Sequence, residues 1–280
     1  MVVVTRRSMA ARRASLPHAL PHDMAVEIAG RVAATSPRPV ADLRSLRASC
    51  RAMRAACGDR DVGRRVALER EAGDMRWSDQ DRFLAVVGSL SAAGNPEACF
   101  LAGIALAFGH DGCARAGNEL LAQAAAAGHR VAAYVLALLL YRAGGGGDAS
   151  DAARQLVREV EGEGEAAAAA GGDGGCKTTD TRRSNVGCVR CRAVAVEAVR
   201  QATWKMAKLP ASDVPVVAAA AAAPPPPEDD GGHRCTVSGC GKPEEGWCDW
   251  AVFCSEECRI KNECNVFFSQ LPLTIANLFA

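Results

Sequence analysis

The sequence predicts an all-α protein with a small metal-organised module at its C-terminal end. Three observations carry that prediction. Apolar residues recur at three- and four-residue spacing along much of the chain, the period of one helix face. A segment beginning at Gly94 repeats itself from Gly128, at an offset of 34 residues. Six cysteines, Cys235, Cys240, Cys248, Cys254, Cys258 and Cys264, crowd a single run. Aromatic residues make up only 5% of the 280, while alanine and glycine inflate the apolar fraction, so the helix-on-helix contacts should be lean. A chain of this length accommodates one large domain or two to three small ones.

Residues 1–19 read as a disordered basic leader, carrying Arg6, Arg7, Arg12 and Arg13 with no acid. Order is expected from Leu20. Pro21 and Asp23 form a helix-start signal, followed by Val26, Ile28 and Val32 as the apolar side. Ser36-Pro37-Arg38-Pro39 breaks that helix, because proline cannot continue it and restrains its predecessor. A second helix is expected from Asp42 as N-cap, carrying Leu43, Leu46, Cys50 and Met53 on one side and Arg44, Arg47, Arg51 and Arg54 on the other. Residues 20–60 are thus a helical unit too small to be self-sufficient, and such a unit needs a partner or a neighbouring domain.

Residues 70–160 hold the repeat. Ala98 and Ala132, Phe100 and Tyr134, and Leu106 and Leu140 all keep the 34-residue offset. That period, with small residues where helices touch and one aromatic per unit, signals a short solenoid of helical hairpins of the tetratricopeptide kind. The second helices are expected over Ala114–Ala127 and, after the Gly144–Gly147 insertion, Asp151–Val160. Two and a fraction repeats are fewer than such arrays need alone, so flanking helices should cover them, including one around Trp77–Leu90. Beyond lie a low-complexity linker over 161–187 and a helix over 188–210 with Val194, Val196, Val199, Trp204 and Met206 as its apolar side. An alanine- and proline-rich linker over 211–232, the cysteine module over 233–264 and an apolar tail over 265–280 complete the chain.

The cysteine spacing is Cys-x4-Cys, thirteen residues, then Cys-x3-Cys, which supplies four thiolates for one tetrahedral zinc: Cys235, Cys240, Cys254 and Cys258. A loop-rich segment of this size buries too little core to fold alone, and a structural metal makes up the difference. A secretory hydrophobic segment is not apparent, so the thiols are expected to be reduced or metal-bound, in the nucleus or cytoplasm. Cys188-x2-Cys191, at the start of a helix, reads as a packing pair rather than a redox motif. The net charge of +1 gives no global field for nucleic acid or membrane, and no apolar run approaches the roughly 20 residues of a membrane span. The histidines have no acid or cysteine at catalytic spacing, and neither an open metal position nor a general base is visible, so no catalytic role is expected.

The first unit, Leu20-Pro21-His22-Asp23 and then Asp42-Leu43-x-x-Leu46-Arg47-x-x-Cys50-Arg51, resembles an F-box, with Ser49 where valine is usual and Val32 where leucine is usual. Trp77-Ser78, Arg82-Phe83-Leu84 and Ala93-Gly94-Asn95-Pro96-Glu97-Ala98-Cys99 resemble the segment that follows in plant F-box proteins with Sel-like repeats and a C-terminal MYND zinc finger. The resemblance implies a substrate-recognition subunit of an SCF-type ubiquitin ligase. Leu20, Pro21, Val26, Ile28, Val32, Leu43, Leu46 and Cys50 would provide or support the face for a Skp-type adaptor and its cullin complex. Repeats and finger would take an unknown protein substrate. In the MYND pattern Cys235/Cys240 and Cys254/Cys258 share one zinc. A second zinc would draw on Cys248 and Cys264, but Glu245 stands where a cysteine is usual and no late histidine follows, so one ion is expected. Phe253-Cys254-Ser255-Glu256-Glu257-Cys258-Arg259 also resembles plant FCS-like fingers, which use the same four ligands. A non-enzymatic scaffold outside ubiquitin chemistry is the alternative. A nucleic-acid regulator is disfavoured because Cys235–Cys264 carries few bases against several acids.

Overall fold

The computed structural model describes residues 20–109, 113–144, 147–162, 185, 187–203, 235, 237, 240, 253 and 255–272. Among them are twelve α-helices, a single 3₁₀ turn and no strand, as the all-α reading expects. The basic leader, nearly all of the 161–187 linker, the 211–232 linker and the end of the tail lie outside the described residues. No single described helix is long and apolar enough to cross a membrane. The chain divides into two compact units, one holding residues up to Leu106 with Arg115–His129, the other Ala107–Ala114 and the residues from Arg130 on.

In the first unit, α1 (His22–Thr35) follows Pro21 directly, with Asp23 in its first turn. Its most buried residues are Ala25, Ala29, Gly30 and Ala33, so the closest contact runs along small side chains rather than the expected Val26, Ile28 and Val32. Val26 and Val32 flank that contact half-buried, and Ile28 is 39% exposed. Small residues let a neighbour come close: a Cβ on Gly30 would stand 2.9 Å from the Arg65 guanidinium.

The helix expected from Asp42 to Met53 is corrected to two. α2 (Pro39–Ser49) starts three residues earlier, because Pro39 at the first helical position is preset for it. Asp42 sits inside the first turn, where its carboxylate accepts from the Ser36 hydroxyl, which itself accepts the Arg38 N–H at 2.9 Å. Cys50 is extended, and its sulfur accepts the Met53 N–H at 3.4 Å as the N-cap of α3 (Arg51–Ala56). A polar side chain able to bond its own backbone offers an alternative to another helical turn.

α4 (Arg60–Arg65), the 3₁₀ turn Leu68–Arg70, α5 (Ala72–Ser78) and α6 (Gln80–Ala93) follow. Ala29, Ala33 and Leu43 share one core with Val62, Val66, Leu68, Ala72, Met75, Phe83, Val87 and Ala98. Arg70 closes the end of α1 by donating to the Thr35 and Ser36 carbonyls at 2.7 Å each. The single helix expected around Trp77–Leu90 is split at Asp79, whose side chain caps α6 by accepting the Arg82 N–H. Trp77 is 73% exposed, so α6 covers the repeat through Phe83 and Val87 instead. Gly94, at φ +86°, ends α6, and α7 (Pro96–Phe108) departs at 115° to it.

α7 and α9 (Arg130–Arg142) hold the repeated segment in step: each has 13 residues, and each follows a glycine at positive φ, Gly94 and then Gly128 at +89°. Ala98, Ala132, Phe100 and Tyr134 are all buried. The second helices are α8 (Ala114–Ala126) and α10 (Gly147–Glu161), the latter starting four residues before the expected Asp151. Buried Gly117, Leu121 and Ala124 correspond to Ala153, Val157 and Val160 at a spacing of 36, so the glycine insertion adds two positions and the helical face is recovered.

In the second unit α9 is buried continuously from Ala132 to Leu139, as an all-apolar helix must be. It packs against α10, α11 (Cys188–Thr203) and α12 (Glu256–Ser269). α11 buries Cys188, Cys191, Ala195, Val196, Ala198, Val199 and Thr203. Val194, expected on the apolar side, is instead 45% exposed, while Trp204 and Met206 lie outside the described residues.

Candidate metal centre and interaction surfaces

The cysteine module and the start of the expected tail meet in one helix, α12, which runs unbroken past Cys264 to Ser269. Its N-cap is Ser255, whose hydroxyl oxygen accepts the Cys258 N–H at 3.2 Å. Cys258 therefore occupies the first turn, where the helix dipole favours an anionic sulfur. Beside it, Cys235, Val237 and Phe253 form a small buried cluster against which Cys240 and Cys258 pack.

The sulfurs of Cys235, Cys240 and Cys258 all lie within 4.8 Å of one another, with Cys240 and Cys258 at 3.6 Å. Zinc–sulfur bonds of about 2.3 Å would set tetrahedral ligands about 3.8 Å apart, so the donor set and its spacing suit that ion. Among the described residues no disulfide is formed. Of the sequence-predicted ligands, Cys254 and Cys248 lie outside the described residues. Cys264 does not join the three. It is buried, with its sulfur 3.9 Å from the Leu138 carbonyl oxygen, and burial pushes its thiol up to about 12. Cys188 and Cys191 are likewise buried and raised by burial, in keeping with the packing role expected of them.

Sequence reasoning missed how firmly α12 is tied into the second unit. Glu256 pairs with Arg158, and Glu257 accepts from the Tyr141 hydroxyl at 2.7 Å and from Arg154 at 3.2 Å. Glu263 is fully buried. It accepts from the Tyr134 hydroxyl at 2.7 Å, and from Arg192 at 2.8 and 2.9 Å. Burial raises the Glu263 carboxyl, and the Tyr134 and Arg192 bonds oppose that shift. Phe267 packs edge-on to Phe108 and Tyr134, and Arg142 lies 4.2 Å above the Phe268 ring. Glu161 completes the frame by accepting the Gly187 and Cys188 N–H groups at the start of α11. The only sequence signals for this network were a glutamate and a tyrosine inside otherwise apolar helix faces.

The residues expected to serve an adaptor divide by burial. Leu43 belongs to the first unit's own core, and Val26, Val32 and Leu46 are half-buried against it, so these four support the surface. Leu20 and Cys50 are half-buried, and Pro21 and Ile28 are exposed. Met24, absent from the sequence reading, is 55% exposed one turn before Ile28 on α1. Solvent thus meets an apolar strip of Pro21, Met24 and Ile28.

The fold and these sites define a helical-repeat protein of the interaction type, with three clustered thiols able to hold a metal. Residues 75–170 match the family described as plant tetratrico peptide repeats, a stretch that begins within α5 and takes in α6 to α10. No curated protein and no solved structure matches the chain.

Proposed function

We propose that this chain is the substrate-recognition subunit of an SCF-type ubiquitin ligase. It would join a Skp-type adaptor and its cullin complex through residues 20–60, and a target protein through the helical repeats and the cysteine module. One observation carries the reading: α1, opened by Leu20-Pro21-His22-Asp23, keeps Pro21, Met24 and Ile28 in solvent while the neighbouring Ala25, Ala29 and Ala33 are packed away. An apolar strip left in solvent along a helix is what a partner helix or groove would take up. The repeats support the second half of the reading, since hairpin arrays work as binding surfaces.

In this account the chain makes and breaks no bonds. It raises the effective concentration of a target beside a ubiquitin-charged partner. Cys235, Cys240 and Cys258, with Cys254, would hold one zinc ion, which supplies a structural cross-link with all four positions filled by protein. Affinity purification from plant cells tests the reading: a Skp-type adaptor and a cullin should co-purify. Stable complexes that contain neither would instead favour an interaction scaffold outside ubiquitin chemistry.

A further inference from the structure

We propose that metal binding at the cysteine cluster locks the second repeat closed, so that the repeat's exposed surface depends on metal occupancy. This rests on the reading of the thiol cluster as a zinc site and goes beyond it. A metal-held finger on a linker would be independent of its neighbours. Here the helix that contributes Cys258 is also the helix that seals the repeat.

The same 14 residues of α12 do both. At its first turn Cys258 joins the thiols and Glu256 and Glu257 pair with Arg158, Arg154 and Tyr141. Further along, Glu263 receives Tyr134 and Arg192, and Phe267 packs on Tyr134. Tyr134 is the repeat's buried aromatic. Its counterpart Phe100 is satisfied by His129, stacked on it at 4.6 Å. Tyr134 is completed by α12, from outside the hairpin. Among the described residues the cluster's buried apolar support is Cys235, Val237 and Phe253, a small core of the kind a structural metal reinforces. Removing the ion therefore releases the N-terminal end of α12 and loosens the groups that cover α9.

If metal binds only the closed form, the closed form gains by the linkage factor, about 100-fold at a free metal concentration about 100 times Kd. The experiment is hydrogen exchange on the full-length chain, zinc-loaded, then chelated, then reloaded. Chelation should speed amide exchange across Ala132–Leu139 and the whole of α12 by on the order of 100-fold under those conditions, and reloading should reverse it. Faster exchange confined to residues 235–258 overturns the proposal and leaves the zinc site standing. Absence of bound zinc in native mass spectrometry overturns both. The coupling is reciprocal, so Arg154→Ala with Arg158→Ala, which leaves every thiol in place, should weaken zinc affinity. Unchanged affinity in that variant contradicts the proposal.

Discussion

Single side chains decide several junctions of this fold, and Asn95 is the clearest. It is 1% exposed; its amide donates to the Gly63, Arg64 and Val66 carbonyls, and its oxygen accepts the Ala98 N–H as the cap of α7. Asn95→Ala removes a cap and the amide's bonds to three carbonyls, of which those of Gly63 and Val66 keep the Val66 and Leu68 N–H groups, and should cost about 2–4 kcal/mol by denaturant unfolding. The 34-residue offset makes His129 its counterpart, which instead bonds Glu97 at 2.9 Å and stacks on Phe100. The repeat was legible in small and aromatic residues, but this difference in polar roles was not, because it depends on which chain segments lie opposite. Glu256 gives a pH signature. Its bond with Arg158 holds the carboxyl below its ordinary value of 4.5. A lowered carboxyl contributes stability that is present above 4.5 and lost as pH falls through the lowered value. The melting temperature of the native chain should exceed that of Glu256→Gln at pH 7, and the gap should close in acid.

Helices were legible where a proline, a glycine or a clear apolar period marked them. Pro21, Pro39, Gly94 and Gly128 all stand at helix ends. The break at Cys50 was not legible, since the apolar spacing runs across it and only the cap made by the cysteine sulfur reveals it. Nor was the reach of α12. The cysteine spacing drew attention to a separate module, whereas Phe267 and Phe268 continue its helix into the second unit. The Tyr134–Glu263–Arg192 group makes that docking measurable. Arg192→Leu would leave the buried Glu263 charge without its cation and should cost about 3–5 kcal/mol. Tyr134→Phe removes one of its hydrogen bonds and should cost about 1–3 kcal/mol. Thermal unfolding of the two variants should rank them in that order.

At the scale of the whole molecule, an all-α chain with hairpin repeats and a thiol cluster was readable from period and spacing alone. What spacing could not reveal was which apolar residues the chain keeps for itself. The sequence left open whether Leu43 and Leu46 provide the adaptor face or support it; the first unit draws them inward, since helices as short as α2 and α3 must share the core of the helices that follow. The surface left over is smaller and sits on α1. A double substitution there, Met24→Asp with Ile28→Asp, touches no fully buried position and should leave the circular dichroism spectrum and zinc content unchanged. The deciding measurement is calorimetric titration of a purified Skp-type adaptor into the native chain and into that variant. The account predicts saturable binding by the native chain and a loss of about 100-fold or more in the variant, as removal of a central apolar anchor would give. Equal affinity in both, or no binding by the native chain, would contradict it.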